Sequence, residues 1–314
     1  MNSDTAVSTG CPFCGTGCAL SVSCIPKGYK VKGDADNPST QGDLCFKPIQ
    51  MATALDTGRL QTPLYRRDKN DPFTPIGWDE AIIILADAIR SLPKEALYLY
   101  LSGQLLSEES YLFTKLFKGY IGTNNVDANS RLCMASAVVA HKMAFGSDGP
   151  VGNYRDIDDA DVILISGSNP AWAHPVIFRR ILARKKAHPQ TLILTIDPIC
   201  TETAEKSDHW IALNSGSDTM LYNALFAELY RRGSCDTDFI HRATEGFELT
   251  LAEAKNTPFD EAIAACGVSP ENARILLDAF GSDKKIVGLW CQGLNQAEDG
   301  VMRNLGFINL FLAT

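Results

Sequence analysis

Between residues 78 and 293 the apolar positions follow two patterns that take turns along the chain. In "WDEAIIILADAIRSL" (78–92), Ile82, Leu85, Ala86 and Ile89 recur at helical spacing behind Asp79 and Glu80, which predicts an amphipathic helix. "ALYLYLS" (96–102) is continuously apolar and predicts a buried strand that ends at Gly103. Ser107, Glu108 and Glu109 then open a helix through "SYLFTKLFKG", which Gly119 is expected to close. The alternation continues through strand "DVILISGSN" (161–169), helix "HPVIFRRILARKK" (174–186), strand "TLILTIDP" (191–198) and a short extended "HWIAL" (209–213). Helices "DTMLYNALFAELYRR" (218–232) and "PENARILLDAF" (270–280) precede a last strand, "KIVGLWCQG" (285–293).

Strands without strict polar alternation, separated by amphipathic helices, predict an α/β fold with a parallel sheet covered on both faces. Such sheets bind ligands beyond the carboxyl ends of their strands. That places the loops "SGSNPAWAH", "DPICTET" and "CQGLNQ" on the expected binding edge. Residues 1–57 differ: the β-like runs "ALSVSCI" and "YKVKG" are short, and the core they could form is marginal without a metal staple. The expected division is a metal-stapled domain at 1–57, an incomplete α/β segment at 58–130 and a Rossmann-like α/β domain at 131–314.

Composition narrows the partners. The 314 residues are 45% hydrophobic and 21% charged, ordinary for a globular protein, with a formal net charge of -8. That charge disfavours nucleic acid and anionic membranes as main partners. The first ten residues contain no readable export signal and no run reaches membrane-span length, so a cytoplasmic location is expected. Ten cysteines in a reducing compartment point to metal for one group and to burial or no special role for Cys24, Cys200, Cys235, Cys266 and Cys291.

Three cysteines, Cys11, Cys14 and Cys18, crowd into "CPFCGTGC", and Cys45 follows in "GDLCFKP". Thiolates grouped three plus one suit a 4Fe-4S cluster, and a four-cysteine zinc site is the alternative that spacing leaves open. Lys47, two residues beyond Cys45, is either a surface lysine or a cation that raises a cluster's potential. Cys133 precedes the apolar helix pattern "MASAVVAHKMAF". It reads as a buried core cysteine or as a thiolate stabilised at a helix start beside Arg131.

Together, "CPFCGTGC", "GDLCFKP", "GRLQTPLYRR", "GWDEA", "IGTNNVDANSRLCMASAV", "GSNPAWAHP" and "GSD" resemble, in order, the prokaryotic molybdopterin oxidoreductase family, most closely its assimilatory nitrate reductase branch. The resemblance implies a small iron-sulfur domain followed by Rossmann-like sheets, as in formate dehydrogenases and DMSO reductases. It implies a 4Fe-4S cluster on Cys11, Cys14, Cys18 and Cys45. It further implies molybdenum held by two molybdopterin guanine dinucleotides and by Cys133, with Lys47 between cluster and pterin. Formate dehydrogenases typically follow the metal-ligating residue with histidine; here Met134 follows Cys133, which favours nitrate over formate. Nitrate is thus the expected substrate, with ferredoxin, flavodoxin or a flavoprotein reductase subunit as electron donor.

Further positions carry over with the matching segments. Gln104 and Asn129 correspond to pterin contacts. Ser166, Gly167, Ser168, Asn169, Pro170, Ala171, Trp172 and Ala173 would cradle one dinucleotide, and Asp197 and Pro198 close the next strand. Gly216, Ser217 and Asp218 open a helix, where Ser217 and Asp218 serve as caps or as guanine contacts. Gln292 and Gln296 match pterin positions on the last strand's loop. Family members are typically more than twice as long, so the chain is expected to be a catalytic-subunit fragment, inactive alone. The rivals are a formate dehydrogenase alpha subunit and a non-catalytic, cluster-bearing electron-transfer module.

Overall fold

The computed structural model describes residues 6–26, 28–55, 57–281 and 284–314, and the chain divides into two compact units, Met1–Arg131 and Leu132–Thr314. The first unit opens with an antiparallel sheet of β1 (Val7–Gly10), β2 (Ala19–Ile25) and β3 (Gly28–Gly33). Gly10 pairs with Ala19, so residues 11–18 form the loop of a β-hairpin. Helix α1 (Phe46–Ala54) packs on β3. Further along, a two-stranded ladder pairs β4 (Leu64–Tyr65) with β5 (Thr74–Pro75), with Arg66 stacked over Phe73.

Helix α2 (Trp78–Ser91) forms where its periodicity predicts, yet buries none of its residues. Strand β6 (Leu99–Leu101) lies parallel to β7 (Val126–Ala128). Between them α3 (Ser107–Thr114) continues into a π-helical stretch, Lys115–Ile121. Gly119 therefore does not end this helix; Gly122 does, because its φ of 79° is the left-handed conformation that glycine adopts without strain. Helix α4 (Ser130–Cys133) ends the segment.

The second unit begins with α5 (Ala135–Phe145) and α6 (Tyr154–Asp159). Its sheet consists of β8 (Val162–Ser166), β9 (Leu192–Ile196), β10 (His209–Ile211) and β11 (Ile286–Trp290), all parallel, in the order β10-β9-β8-β11. Connecting β8 to β9 are α7 (Pro170–Ala173) and α8 (Pro175–Ala187), and α9 (Glu202–Glu205) precedes β10. Helices α10 (Asp218–Arg231), α11 (Thr237–Ala243), α12 (Phe247–Ala254), α13 (Phe259–Ala265) and α14 (Pro270–Phe280) lead to β11. Short α15 (Gln292–Asn295) and α16 (Gly300–Ala313) follow it.

Successive side chains of β8 supply opposite faces of this sheet. Val162 and Leu164 join Leu194, Leu225, Phe280 and Phe307 in one core, while Ile163 and Ile165 join Ile177, Phe178 and Ile181 in the other. Burial of each large apolar side chain contributes roughly 1.5–3 kcal/mol, which explains why the continuous apolar runs became the central strands. From β8 the chain moves one way to β9 and β10, then returns to place β11 on the other side. The strand order therefore reverses between β8 and β11, the position where such sheets open a crevice at their carboxyl ends. Among the described residues, no helix is long and apolar enough to cross a membrane.

Candidate functional site

In the first unit, the hairpin loop 11–18 closes through a bond from the Cys11 amide to the Cys18 carbonyl at 2.9 Å. Asn37 ties the following loop to it: its amide donates to the Gly17 carbonyl at 3.2 Å, and its side-chain oxygen accepts from the Ser39 and Thr40 amides. Gly33 lies so close to Gly42 that a Cβ would stand 2.1 Å from the Gly42 carbonyl oxygen. This close approach folds the loop back over β3 and returns Cys45, the N-cap of α1, towards the hairpin.

Cys18 and Cys45 are buried, and Cys11 and Cys14 are half-buried. Burial raises the Cys18 thiol to about 11, reinforced by the charges of Cys11, Cys14 and Cys45. Burial likewise raises Cys11, and Lys47 opposes that shift. The four sulfurs thus share one neighbourhood, and the Lys47 cation is felt within it. Among the described residues, no three His, Cys, Asp or Glu side chains converge on one metal-ion position. An iron-sulfur cluster takes its thiolates on separate iron corners, and three sulfurs from one hairpin loop with a fourth at the start of α1 suit that arrangement.

Gln104 and Asn129 belong to the loops after β6 and β7. The Gln104 amide donates to the Phe13 carbonyl in the cysteine loop at 3.4 Å, and Asn129 Oδ1 accepts from the Gly103 amide at 2.6 Å.

In the second unit, Cys133 does not open the long helix. It is the last residue of α4, Arg131 lies in the same short helix, and Met134, with φ -130°, is the N-cap of α5. Two carboxamides point at the Cys133 sulfur: Gln292 Nε2 at 3.4 Å and Gln296 Nε2 at 3.7 Å. These glutamines begin and cap α15, so the expected loop is one helical turn. Gly167 (φ 56°) and Gly293 fix that turn to the end of β8; their backbones bond at 2.9 Å, and a Cβ on Gly167 would meet Leu294 at 2.6 Å. Helix α5 is held to the same end by His141, whose ring stacks on Trp290 at 5.5 Å.

The remaining predicted positions lie at the carboxyl ends of the strands. The Ser166 hydroxyl is fully buried and bonded to Tyr222 Oη at 2.6 Å, which directs it into the core. Ser168 and Pro170 are also buried, whereas Trp172 is exposed and its indole donates to Glu202 at 2.6 Å. Asn169 Oδ1 accepts from Thr203 at 2.6 Å, and the Thr203 hydroxyl accepts from the Ala171 amide; Ala173 ends α7. Asp197 accepts from the Ile199 amide across Pro198, and burial raises its carboxyl. Gly216 has φ 93°, and the Ser217 hydroxyl donates to the Asn214 carbonyl rather than capping α10.

Asp218 is buried in α10 and paired with Arg303 Nη1 at 3.0 Å. Desolvation raises its carboxyl, Arg303 opposes that shift, and the nearby Asp299 and Asp197 add to it. Sequence patterns single out neither Arg303 nor Asn295. The Asn295 Oδ1 atom is buried without a hydrogen-bond partner, among the described residues the one such side-chain atom. Arg303 lies four residues after Asp299, a readable helical pair, but its partner Asp218 is 85 positions away. A buried acceptor without a donor, in the turn that follows β11 at the sheet's switch point, is a place for a ligand that brings its own N–H or O–H groups.

Comparisons with known proteins give the family and the fold. Residues 59–314 match the model of the molybdopterin oxidoreductase family, and residues 4–54 match that of the molybdopterin oxidoreductase Fe4S4 domain. A nitrate reductase from Synechocystis sp. is 36% identical over 98% of this chain and 44% of its own length. The alpha subunit of a formate dehydrogenase from Methanococcus maripaludis is 32% identical over 98% of this chain and 45% of its own. The chain thus spans less than half the length of these relatives. Acetylene hydratase from Pelobacter acetylenicus shares the fold, with a TM-score of 0.83 at 18% identity over 97% of this chain and 42% of the solved one.

Proposed function

The chain belongs to the molybdopterin oxidoreductase family, and from that premise we propose that the protein reduces nitrate to nitrite in nitrate assimilation. The observation that carries this reading is the Cys133 site, a soft sulfur followed by the non-titratable Met134 and faced by two neutral carboxamides. A thiolate suits a soft transition metal, and Arg131, two residues before Cys133, suits an anionic substrate. Formate oxidation has to dispose of a proton, and Met134 offers no group for that.

When bound, the molybdenum cofactor supplies the oxygen-accepting centre, and the 4Fe-4S cluster delivers electrons singly. Cys133 is the ligand that this chain gives to the metal. Asn295 Oδ1 stands ready to accept a donor of the pterin, and the family resemblance assigns Gln104 and Asn129 to pterin contacts as well. Asp218, whose proton affinity the nearby Asp197 charge helps to raise, and Asp197 itself suit the ring N–H groups of a guanine dinucleotide. Cys11, Cys14, Cys18 and Cys45 hold the cluster and Lys47 supplies its neighbouring cation. Reduction of nitrate to nitrite and water consumes two electrons and two protons, the electrons drawn from a ferredoxin, flavodoxin or flavoprotein donor.

The M. maripaludis relative names the rival, formate oxidation. An electron relay without molybdenum is less suited, because it has no use for Cys133 or its amide donors. Assay of the full-length protein with reduced viologen separates these readings. Nitrate-dependent viologen oxidation is expected; formate oxidation without nitrate turnover, or iron without molybdenum, would overturn the proposal.

A further inference from the structure

The two carboxamides on the Cys133 sulfur do something that a pterin contact does not. Gln292 and Gln296 are four residues apart, one turn of α15, so both side chains leave the same face of that turn. Their Nε2 atoms reach one sulfur, at 3.4 and 3.7 Å. The platform beneath them has little freedom. Leu294 is fully buried, the Gly293 amide donates to the Gly167 carbonyl at 2.9 Å, and a Cβ on Gly293 would stand 2.6 Å from Gly167 Cα. The backbone that carries the two glutamines is thereby fixed relative to the end of β8, while both side chains are exposed and are held by their bonds to the sulfur.

We propose that Gln292 and Gln296 are positioning residues that clamp the Cys133 sulfur with two N–H donors, orienting it and withdrawing electron density from it. A thiolate that accepts hydrogen bonds is a weaker donor to its metal, which favours the reduced metal and raises the couple's potential. The inference rests on Cys133 being the molybdenum ligand, but not on the identity of the substrate. It also divides the labour within α15, where the two glutamines serve the sulfur and Asn295 between them keeps its acceptor for the cofactor.

The test uses the full-length protein with its cofactors, carrying Gln292→Leu, Gln296→Leu, both together, or Gln292→Glu. Molybdenum content is measured, and the Mo(V) resonance is followed by electron paramagnetic resonance during a redox titration. Each leucine variant is expected to change the Mo(V) spectrum and lower the Mo(V)/Mo(IV) potential, Gln292→Leu more than Gln296→Leu. Gln292→Glu, which substitutes a charged acceptor for a donor, should lower it further. Unchanged potential and spectrum in the double variant at wild-type metal content would overturn the proposal.

A metal-free measurement covers variants that fail to load. In the chain labelled with nitrogen-15 glutamine, Cys133→Ala should shift the side-chain amide resonances of Gln292 and Gln296 and leave other glutamines in place. Unmoved resonances for both would again overturn the clamp. Because neither readout records turnover, a protein that oxidises formate refutes the nitrate reading and leaves this test intact.

Discussion

Helix α2 of the first unit and helix α14 of the second are both strongly amphipathic, yet they end in opposite environments. In α14, Ala273, Leu276, Leu277, Ala279 and Phe280 are all 2% exposed or less; in α2, Ile82, Ile83 and Leu85 remain about 60% exposed. Periodicity therefore specifies that a helix has an apolar face, and not what covers it. The second unit supplies that cover, with helices on both faces of a four-stranded sheet. The first unit buries few side chains, and two of its buried apolar residues are the cysteines Cys18 and Cys45. The second unit thus has a two-faced core to hold it, whereas the first has few buried side chains of its own, which is where a bound cluster would add cohesion.

The largest expected effect comes from removing a cluster sulfur. Cys18→Ala in the full-length protein should abolish iron binding and speed amide exchange in β2 and β3, while β8 and β9 keep their protection. Iron analysis with hydrogen exchange reads both, and retained iron would refute the dependence. Next comes the core contrast: Phe280→Ala should destabilise the chain by about 3–5 kcal/mol, by lost burial and a residual cavity. Ile82→Ser should change it by no more than ~0.5 kcal/mol, as for an exposed position. Denaturant midpoints measure the pair, and equal shifts would show that the two helices are not so different.

The smallest effect is electrostatic and confined to acid. Arg180 pairs with Asp158 at 2.5 Å and, chiefly by that hydrogen bond, holds the Asp158 carboxyl below the usual aspartate range. A carboxyl whose proton affinity is lowered by folding adds stability above its unfolded titration range. That stability is lost as pH falls through the unfolded value towards the lower folded one. Asp158 is partly exposed, which reduces the size of the effect. Arg180→Ala should accordingly flatten the acid limb of thermal stability of the second unit and leave its slope near neutrality unchanged. A calorimetric pH series checks this.

Much of this protein can be read along one dimension. The parallel sheet is legible because strands covered on both faces are apolar at successive positions, as in "DVILIS" and "TLILTI". The family and its Fe4S4 domain are legible from motifs in a fixed order. Local signals misplace the end of α3 because two glycines, Gly119 and Gly122, compete for the stop. A π-helical stretch, invisible to a 3.6-residue template, carries the chain past the first. They misplace Cys133 for a similar reason, since a one-residue break at Met134 leaves apolar periodicity intact.

The sequence by itself determined which segments are strands and helices and to which family the chain belongs, because these depend on local periodicity and on motifs in a fixed order. Only the tertiary structure decided that Gln292 and Gln296 face Cys133 across about 160 residues, that Arg303 neutralises the buried Asp218, and that Asn295 keeps an acceptor free. Contacts of that kind arise when β11 crosses to the far side of β8 and brings its loop beside α5. No local pattern encodes that crossing, which follows from how the whole sheet buries its two faces.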